Sequence, residues 1–328
     1  LAPDKFKGTA TAPEAAEALA AGLRALGHEV VCCPLADGGE GTLDALGGAN
    51  RSTVVTGPLG DPVTAEWRLA GRIAVIEMAQ ASGLALVGGA EGNDPVAAST
   101  YGTGELISTA VEAGARHVVV GVGGSATTDG GLGALRAMYP VQRYRGTTIE
   151  VACDVRLGFV DAARVFAPQK GATPAQVELL ERRLERLVQV YDEEYGVDVT
   201  TLEGAGAAGG LAGGLACAGA VLVPGFELVA DRLGLDELVE SADLVVTGEG
   251  FLDDESFDGK VVGGVAELAA ALGVPVVAVV GESFDGAGER LPTISLVEHH
   301  GRERAMSATT DCLVESAQLV LDAARDAR

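Results

Sequence analysis

The chain has 328 residues, is 48% hydrophobic but only 4% aromatic, and carries a formal net charge of −24. That length suits two domains better than one and is ample for a large core. The acidic balance argues against nucleic acid or an anionic membrane as partner, and an anionic ligand would need a local cation or metal ion to overcome the field.

In chain order, Pro3-Asp4-Lys5-Phe6-Lys7-Gly8 reads as a loop, with most of a first strand expected before it. Thr11-Ala12-Pro13-Glu14 is a capping box with Pro in the first helical turn, and the apolar pattern runs to about Leu26, where Gly27 stops it. A short buried strand is predicted over 30–33, leading into the Gly- and acid-rich loop 36–42. Residues 73–78 read as a strand, 103–113 as a helix ended by Gly114, and 118–122 as a strand entering a Gly-rich loop over 123–131. A strand over 149–153 ends at Asp154. A second capping box, Thr173-Pro174-Ala175-Gln176, starts a long amphipathic helix to about Tyr195, with Glu178 and Arg182 spaced i,i+4. A strand over 244–247 ends at Gly248-Glu249-Gly250. A helix to Leu272, a strand over 276–280 and a final helix over about 308–327 follow.

Strands alternating with helices predict an α/β protein with largely parallel sheets, as does a composition dominated by Ala, Gly, Val and Leu. Open sheets of this kind bind ligands at the strand C-terminal ends, where the Gly- and acid-rich loops fall. The five cysteines (Cys32, Cys33, Cys153, Cys217, Cys312) form no C-x-x-C pair and read as buried thiols of a cytoplasmic protein. No apolar run reaches membrane-spanning length, and no signal peptide is expected.

Only four of the 23 basic residues are lysines, and Lys5, Lys7, Lys170 and Lys260 all sit in Gly- or Pro-flanked loops. A compact, rotatable ammonium suits a phosphate or acidic substrate. The loop 123–131 holds Ser125, Thr127, Thr128 and Asp129 among glycines between a strand and a helix. Its N–H groups are therefore expected to cradle an anion at the helix N-terminus. Acids recur at strand ends: Asp4, Asp37, Glu40, Asp129, Asp154, Glu249, Asp253 and Asp254. Carboxylates converging with lysines match phosphoryl transfer, in which one carboxylate takes the hydroxyl proton, others hold Mg²⁺, and ammonium groups stabilise the moving phosphoryl. Gly204-Ala205-Gly206-Ala207-Ala208-Gly209 matches G-x-G-x-x-G and supports an NAD-dependent oxidoreductase as alternative, although the segment before it makes a poor strand and close helix packing is the competing use. A third reading is a non-catalytic protein that binds a small anion. The four histidines lie outside every Gly-rich loop, and there is no G-x-S-x-G, Walker A or H-R-D motif.

Taken together and in order, the loops resemble the bacterial glycerate kinase family. The resemblance rests on 2–8, 34–42, 99–107, 123–131, 152–155, 168–172, 204–210, 248–253 and Gly259-Lys260, spanning nearly the whole chain. It departs from the family pattern at Phe251, where Arg is usual, at Glu255, where Gln is usual, and at Arg156-Leu157-Gly158, where an Asn-Pro-Leu stretch is expected; the 138–149 connection is also short. The resemblance implies ATP- and Mg²⁺-dependent phosphorylation of D-glycerate, usually at the 2-hydroxyl. It also implies two domains with the active site in the cleft between them. One is a discontinuous Rossmann-like three-layer α/β domain with a mostly parallel sheet (1–70 plus 238–328), and the other a mixed α/β domain (71–237). On that basis Gly123, Gly124, Ser125, Thr127 and Thr128 are expected to bind ATP, and Asp129, Asp154 and Glu249 to hold the metal. Asp4, Lys5, Lys7 and Glu40 are expected to bind glycerate. Asp37 or Asp253 is the expected proton acceptor, with Lys170 and Lys260 acting on the phosphoryl group. The expected partners are D-glycerate and ATP, without nucleic acid or membrane, and the sequence leaves the oligomeric state, monomer or homodimer, open.

Overall fold

A computed structural model describes residues 1–284 and 286–326. Its strands are β1 (Ala2–Pro3), β2 (Arg51–Thr56), β3 (Pro62–Ala70), β4 (Ile73–Glu77), β5 (His117–Gly121), β6 (Thr148–Ala152), β7 (Val221–Val223), β8 (Val245–Leu252), β9 (Val276–Ser283) and β10 (Thr293–Ser295). The chain forms two compact units. One takes Leu1–Asp37, Asp44–Leu46 and everything described from Phe226 on; the other takes Gly38–Leu43 and Gly47–Gly225.

The first unit has a wholly parallel sheet in the order β1-β8-β9-β10. The first half of β9, Val276-Val277-Ala278-Val279-Val280, is a continuous apolar run and β8 opens on Val245-Val246, as expected where both faces are covered. Val246 and Val279 pack on one face with Leu19, Leu313 and Val320. Val245 packs with Phe226, Val229, Val261 and Val265 on the other. Helices on both faces make this a three-layer unit. Two residues suffice for β1, because Ala2 and Pro3 are held against Thr247 and Gly248 of β8. The expected strand over 30–33 is not regular. The segment runs beside β1 through Leu1 N to Val31 O, Cys33 N to Leu1 O and Leu35 N to Pro3 O, and a two-residue neighbour cannot support a longer ladder. The expected final helix is two, Thr309–Glu315 and Ala317–Asp326, and its predicted end at Ala327 lies outside the described residues.

The second unit has a six-stranded mixed sheet, β2-β3-β4-β5-β6-β7, antiparallel through β4 and parallel beyond. The sequence reading did not include the β2–β3 hairpin; Val55, Ala65 and Trp67 are its fully buried side chains, with Val63 and Leu69 packed more shallowly against the same core. That hairpin takes residues 47–70 into the second unit, where the sequence placed them in the first. Likewise 226–237 fall in the first unit, because the helix Gly225–Leu233 buries Phe226 and Val229 against Val261 and Val265. The core joins Trp67, Ile76, Leu106, Val118, Val120 and Val151 with Leu211 and Leu215. The helix Pro174–Tyr195 carries the predicted capping box and buries Leu180, Leu184, Leu187 and Tyr191 against Phe159. Among the described residues, no helix is long and apolar enough to cross a membrane.

Candidate active site

Strand β5 delivers the chain into the Gly-rich loop, and the cation that serves this loop comes from a distant segment. Lys170 ends a 3₁₀ turn, Pro168–Lys170, and is only 3% exposed. Its Nζ donates to Ser125 Oγ at 2.8 Å and to the Thr127 carbonyl at 2.6 Å. Both acceptors are neutral, so burial dominates and the ammonium's pKa falls to about 7, with the Asp129 charge pulling the other way. Asn93 braces the same loop, donating through Nδ2 to the carbonyls of Ala126 (3.0 Å) and Lys170 (2.9 Å). The hydroxyls of Thr127 and Thr128 are buried and meet no hydrogen-bond partner among the described residues. A buried donor left unpaired costs about 1–3 kcal/mol, so these two mark a place made for an acceptor.

The helix after this loop, Leu132–Ala137, does not offer its N-terminus to a ligand as expected. Asp129 fills it: its carboxylate accepts from Gly131 N (3.1 Å) and Gly133 N (3.2 Å), and also from Thr100 N (2.8 Å) and Thr100 Oγ1 (2.9 Å). A carboxylate at this end of a helix is favourable, and so many donors leave it little capacity for a metal. Asp129 is an organiser of the loop. Asp154 is similarly committed through Oδ1 to Gly225 N at 2.8 Å.

In the first unit the parallel pairing of β1 with β8 sets Asp4 beside Glu249. Asp4 N donates to Gly248 O at 2.8 Å. Burial raises Asp4 to about 6 against the opposing charge of Lys5, whose Nζ lies 3.5 Å from Asp4 Oδ1 and 3.9 Å from Asp37 Oδ1. Burial likewise raises Glu249 to about 7, and its Oε1 is buried without a donor among the described residues. Asp253 caps a 3₁₀ turn, accepting Ser256 N (3.1 Å) and Ser256 Oγ (3.2 Å) at Oδ1. Lys260, at the start of the helix Val261–Leu272, pairs with Glu255 at 3.6 Å. Lys7 and Glu40 are exposed. Four of the expected site residues, Asp4, Lys5, Asp37 and Glu249, thus gather at the β1 and β8 ends, with Asp253 and Lys260 in the loop that follows β8.

Sequence reasoning passed over Asn93, Ser256 and Glu77. Glu77 ends β4, is 6% exposed, and accepts Gly41 N and Leu43 N, each at 2.8 Å. A glutamate closing the apolar run of β4 was the available signal. Asn93 and Ser256 carried none beyond turn composition.

The G-x-G-x-x-G segment does not have the context of a dinucleotide site. A 3₁₀ turn, Val199–Thr201, precedes it in place of a strand, and Ala208, Gly209 and Gly210 are consecutive left-handed residues. A Cβ on Gly209 would lie 2.0 Å from the Thr127 carbonyl, and one on Gly214 would lie 2.5 Å from that of Gly130. These glycines let a helix abut the Thr127–Gly131 backbone, which removes the sequence support for an oxidoreductase.

Mg²⁺ is usually bound by one or two carboxylates together with phosphate oxygens. Glu249 fits that role through its unpartnered Oε1, whereas the Asp129 carboxylate is taken up by its own donors. Among the described residues no group of three or more His, Cys, Asp or Glu is arranged to hold a metal.

An all-parallel sheet covered on both faces, with carboxylates and lysines in the loops at its strand ends, defines an α/β protein. The sequence profile of the glycerate kinase family matches residues 1–139 and 140–327. The chain is 41% identical to a glycerate kinase of Halalkalibacterium halodurans, over 94% of this chain and 89% of that protein. It is 39% identical to the glycerate 2-kinase of Escherichia coli K12, over 94% and 90% respectively. Its fold is similar to the crystal structure of a Salmonella typhimurium LT2 protein assigned as glycerate kinase 2. The TM-score is 0.82 at 36% identity, covering 99% of this chain and 98% of that one. The chain belongs to the glycerate kinase family.

Proposed function

We propose that this protein transfers the terminal phosphoryl group of ATP to the 2-hydroxyl of D-glycerate, giving phosphoglycerate and ADP. Membership of the family and identity of about 40% to a glycerate kinase and a glycerate 2-kinase support the acceptor. The observation that carries the phosphoryl chemistry is Lys170: a buried ammonium held by two neutral oxygens, beside two buried threonine hydroxyls that lack acceptors. A phosphate group supplies both the missing charge and the missing acceptors.

In this reading Gly123, Gly124, Ser125, Thr127 and Thr128 take the ATP phosphates, with Lys170 fixing the loop and its charge. Lys5 and Lys7 pair with the glycerate carboxylate, alongside Asp4 and Glu40. Asp37 or Asp253 receives the hydroxyl proton, which makes the oxygen a better nucleophile, and Lys260 stabilises charge on the transferred group. Glu249 would hold Mg²⁺, which supplies charge neutralisation on the phosphate oxygens when bound. Transfer by positioning and electrostatics needs no covalent protein intermediate. The five cysteines are all free thiols, which suits a reducing cytoplasm.

The test is purified protein with ATP, Mg²⁺ and D-glycerate. The expected result is ADP released only when glycerate is present, with ³¹P NMR placing the phosphate on the 2-oxygen. ATP binding without ADP release would instead favour a non-catalytic anion-binding protein.

A further inference from the structure

Glu77 has no place in the scheme above, yet it is among the few carboxylates buried in the second unit. It stands at the C-terminal end of β4, level with Gly121 of β5, and the chain turns back so that Met78 N donates to Gly121 O at 2.9 Å. From there its Oε1 reaches the loop 38–43 and accepts both Gly41 N and Leu43 N. The same loop lies directly on the β5 corner. Val122 N donates to Gly38 O at 3.0 Å, and a Cβ on Gly123 would fall 2.7 Å from Gly39 Cα. Glu77 therefore ties together two loops that belong to different parts of the proposed chemistry: the Gly-rich loop at its Gly121–Gly123 entrance, and the segment that carries Glu40 and follows immediately after Asp37.

We propose that Glu77 is a positioning residue for phosphoryl transfer, clamping loop 38–43 against the Gly121–Gly123 corner so that the glycerate-side groups are set before substrate arrives. It acts through this loop and touches neither substrate. One oxygen accepting two converging N–H groups fixes position and tilt together, and removing it leaves two donors without their acceptor. Misplacement of a reacting group by about 1 Å costs on the order of 10²-fold in rate.

This inference rests on the glycerate kinase reading, and the tests separate the two. Wild-type protein inactive on D-glycerate would sink that reading. The clamp is then judged by amide exchange alone, across the peptide spanning 38–46, in wild type, Glu77→Gln and Glu77→Ala. The expected result is exchange at least about 10-fold faster in Glu77→Ala and near wild type in Glu77→Gln, whose carbonyl accepts the same two bonds. In kinetics, Glu77→Ala is expected to lose about 10²-fold in kcat/KM for glycerate while KM for ATP stays within about twofold; Glu77→Gln recovers most of the loss. Glu77→Asp, one methylene too short to reach both N–H groups, should resemble Glu77→Ala and serves in its place if the alanine variant does not fold. A purely structural role would lower the unfolding midpoint and leave kcat/KM for glycerate unchanged in the protein that remains folded. That outcome, unaltered exchange in Glu77→Ala, or Glu77→Gln as impaired as Glu77→Ala would overturn the proposal.

Discussion

The Gly-rich loop of the second unit and the carboxylate group of the first are both polar regions taken out of water, with opposite sign. In the loop, burial pulls the Lys170 ammonium down to about 7. At the β1 and β8 ends, burial pushes Asp4 up to about 6 and Glu249 up to about 7. Acid and base are thus brought into the same range by one cause, desolvation, which is what groups that gain or lose charge near neutrality require. The regions differ in how their hydrogen bonds are spent. Lys170 has two fixed acceptors and Asp129 five fixed donors, from Ser99, Thr100, Gly131 and Gly133, so the loop backbone is held before any ligand arrives. Each region keeps buried polar atoms without a partner among the described residues: in the loop the Thr127 and Thr128 hydroxyls, which can donate, and in the carboxylate group Glu249 Oε1, which can only accept when ionised. We read the loop as a preset mould with donors to offer and the carboxylates as acceptors, each finished by what binds there.

Lysine replacement probes this contrast most strongly. Lys170→Ala should cut kcat/KM for ATP on the order of 10²-fold or more, as loss of a charge-stabilising donor does, and Lys260→Ala should do the same at kcat. Near-wild-type kinetics in both would remove the phosphate role from these lysines. Gly209→Ala attacks the mould from behind. Its Cβ would lie 2.0 Å from Thr127 O at a φ of +69°, so a stability loss of about 2 kcal/mol or more is expected in urea unfolding, together with reduced ATP affinity.

The pH dependence of stability separates the two signs. Folded Lys170 binds fewer protons than the unfolded side chain between about 7 and the usual 10.5, so its contribution improves as pH rises through that window and is lost as pH falls through 7. Lys170→Met should therefore gain most on wild type at pH 6 and least near pH 10. Asp4 behaves in reverse. Its raised pKa gives a contribution present below 3.8 that is lost as pH rises through about 6, so Asp4→Asn should gain on wild type across that interval. Parallel curves for variant and wild type would show that neither group is desolvated. The smallest effect expected is at Ala208, the one non-glycine with positive φ among the described residues. Ala208→Gly should raise stability by about 0.5 kcal/mol, read as a small increase in the urea midpoint.

Part of this was legible from residue order alone. The two capping boxes, at Thr11 and Thr173, form as read, because the Ser/Thr-to-Glu/Gln spacing of three is itself the geometry of the first helical turn. The apolar runs of β4, β5, β6, β8 and β9 were found within a few residues, since buried parallel strands need little beyond continuous valine and isoleucine. In the β2–β3 hairpin, Val63, Ala65, Trp67 and Leu69 do alternate with Thr64, Glu66 and Arg68 as a half-buried strand should, but β2 buries Val55 alone, so only one strand of the pair carries the signal. The roles around Asp129 escaped because the sequence shows a carboxylate among glycines without showing which way it points.

Sequence by itself therefore determined the α/β class, the family and the set of loops that carry lysine and carboxylate, because these depend on local pattern and on residue types in order. Tertiary structure decided which charges are buried, that Lys170 reaches across 43 residues to Thr127, and that Glu77 holds a loop 34 residues earlier in the chain. It also decided that the 204–210 glycines make room for backbone in place of a dinucleotide. Desolvation and close approach are properties of neighbours in space, and no spacing along the chain encodes them.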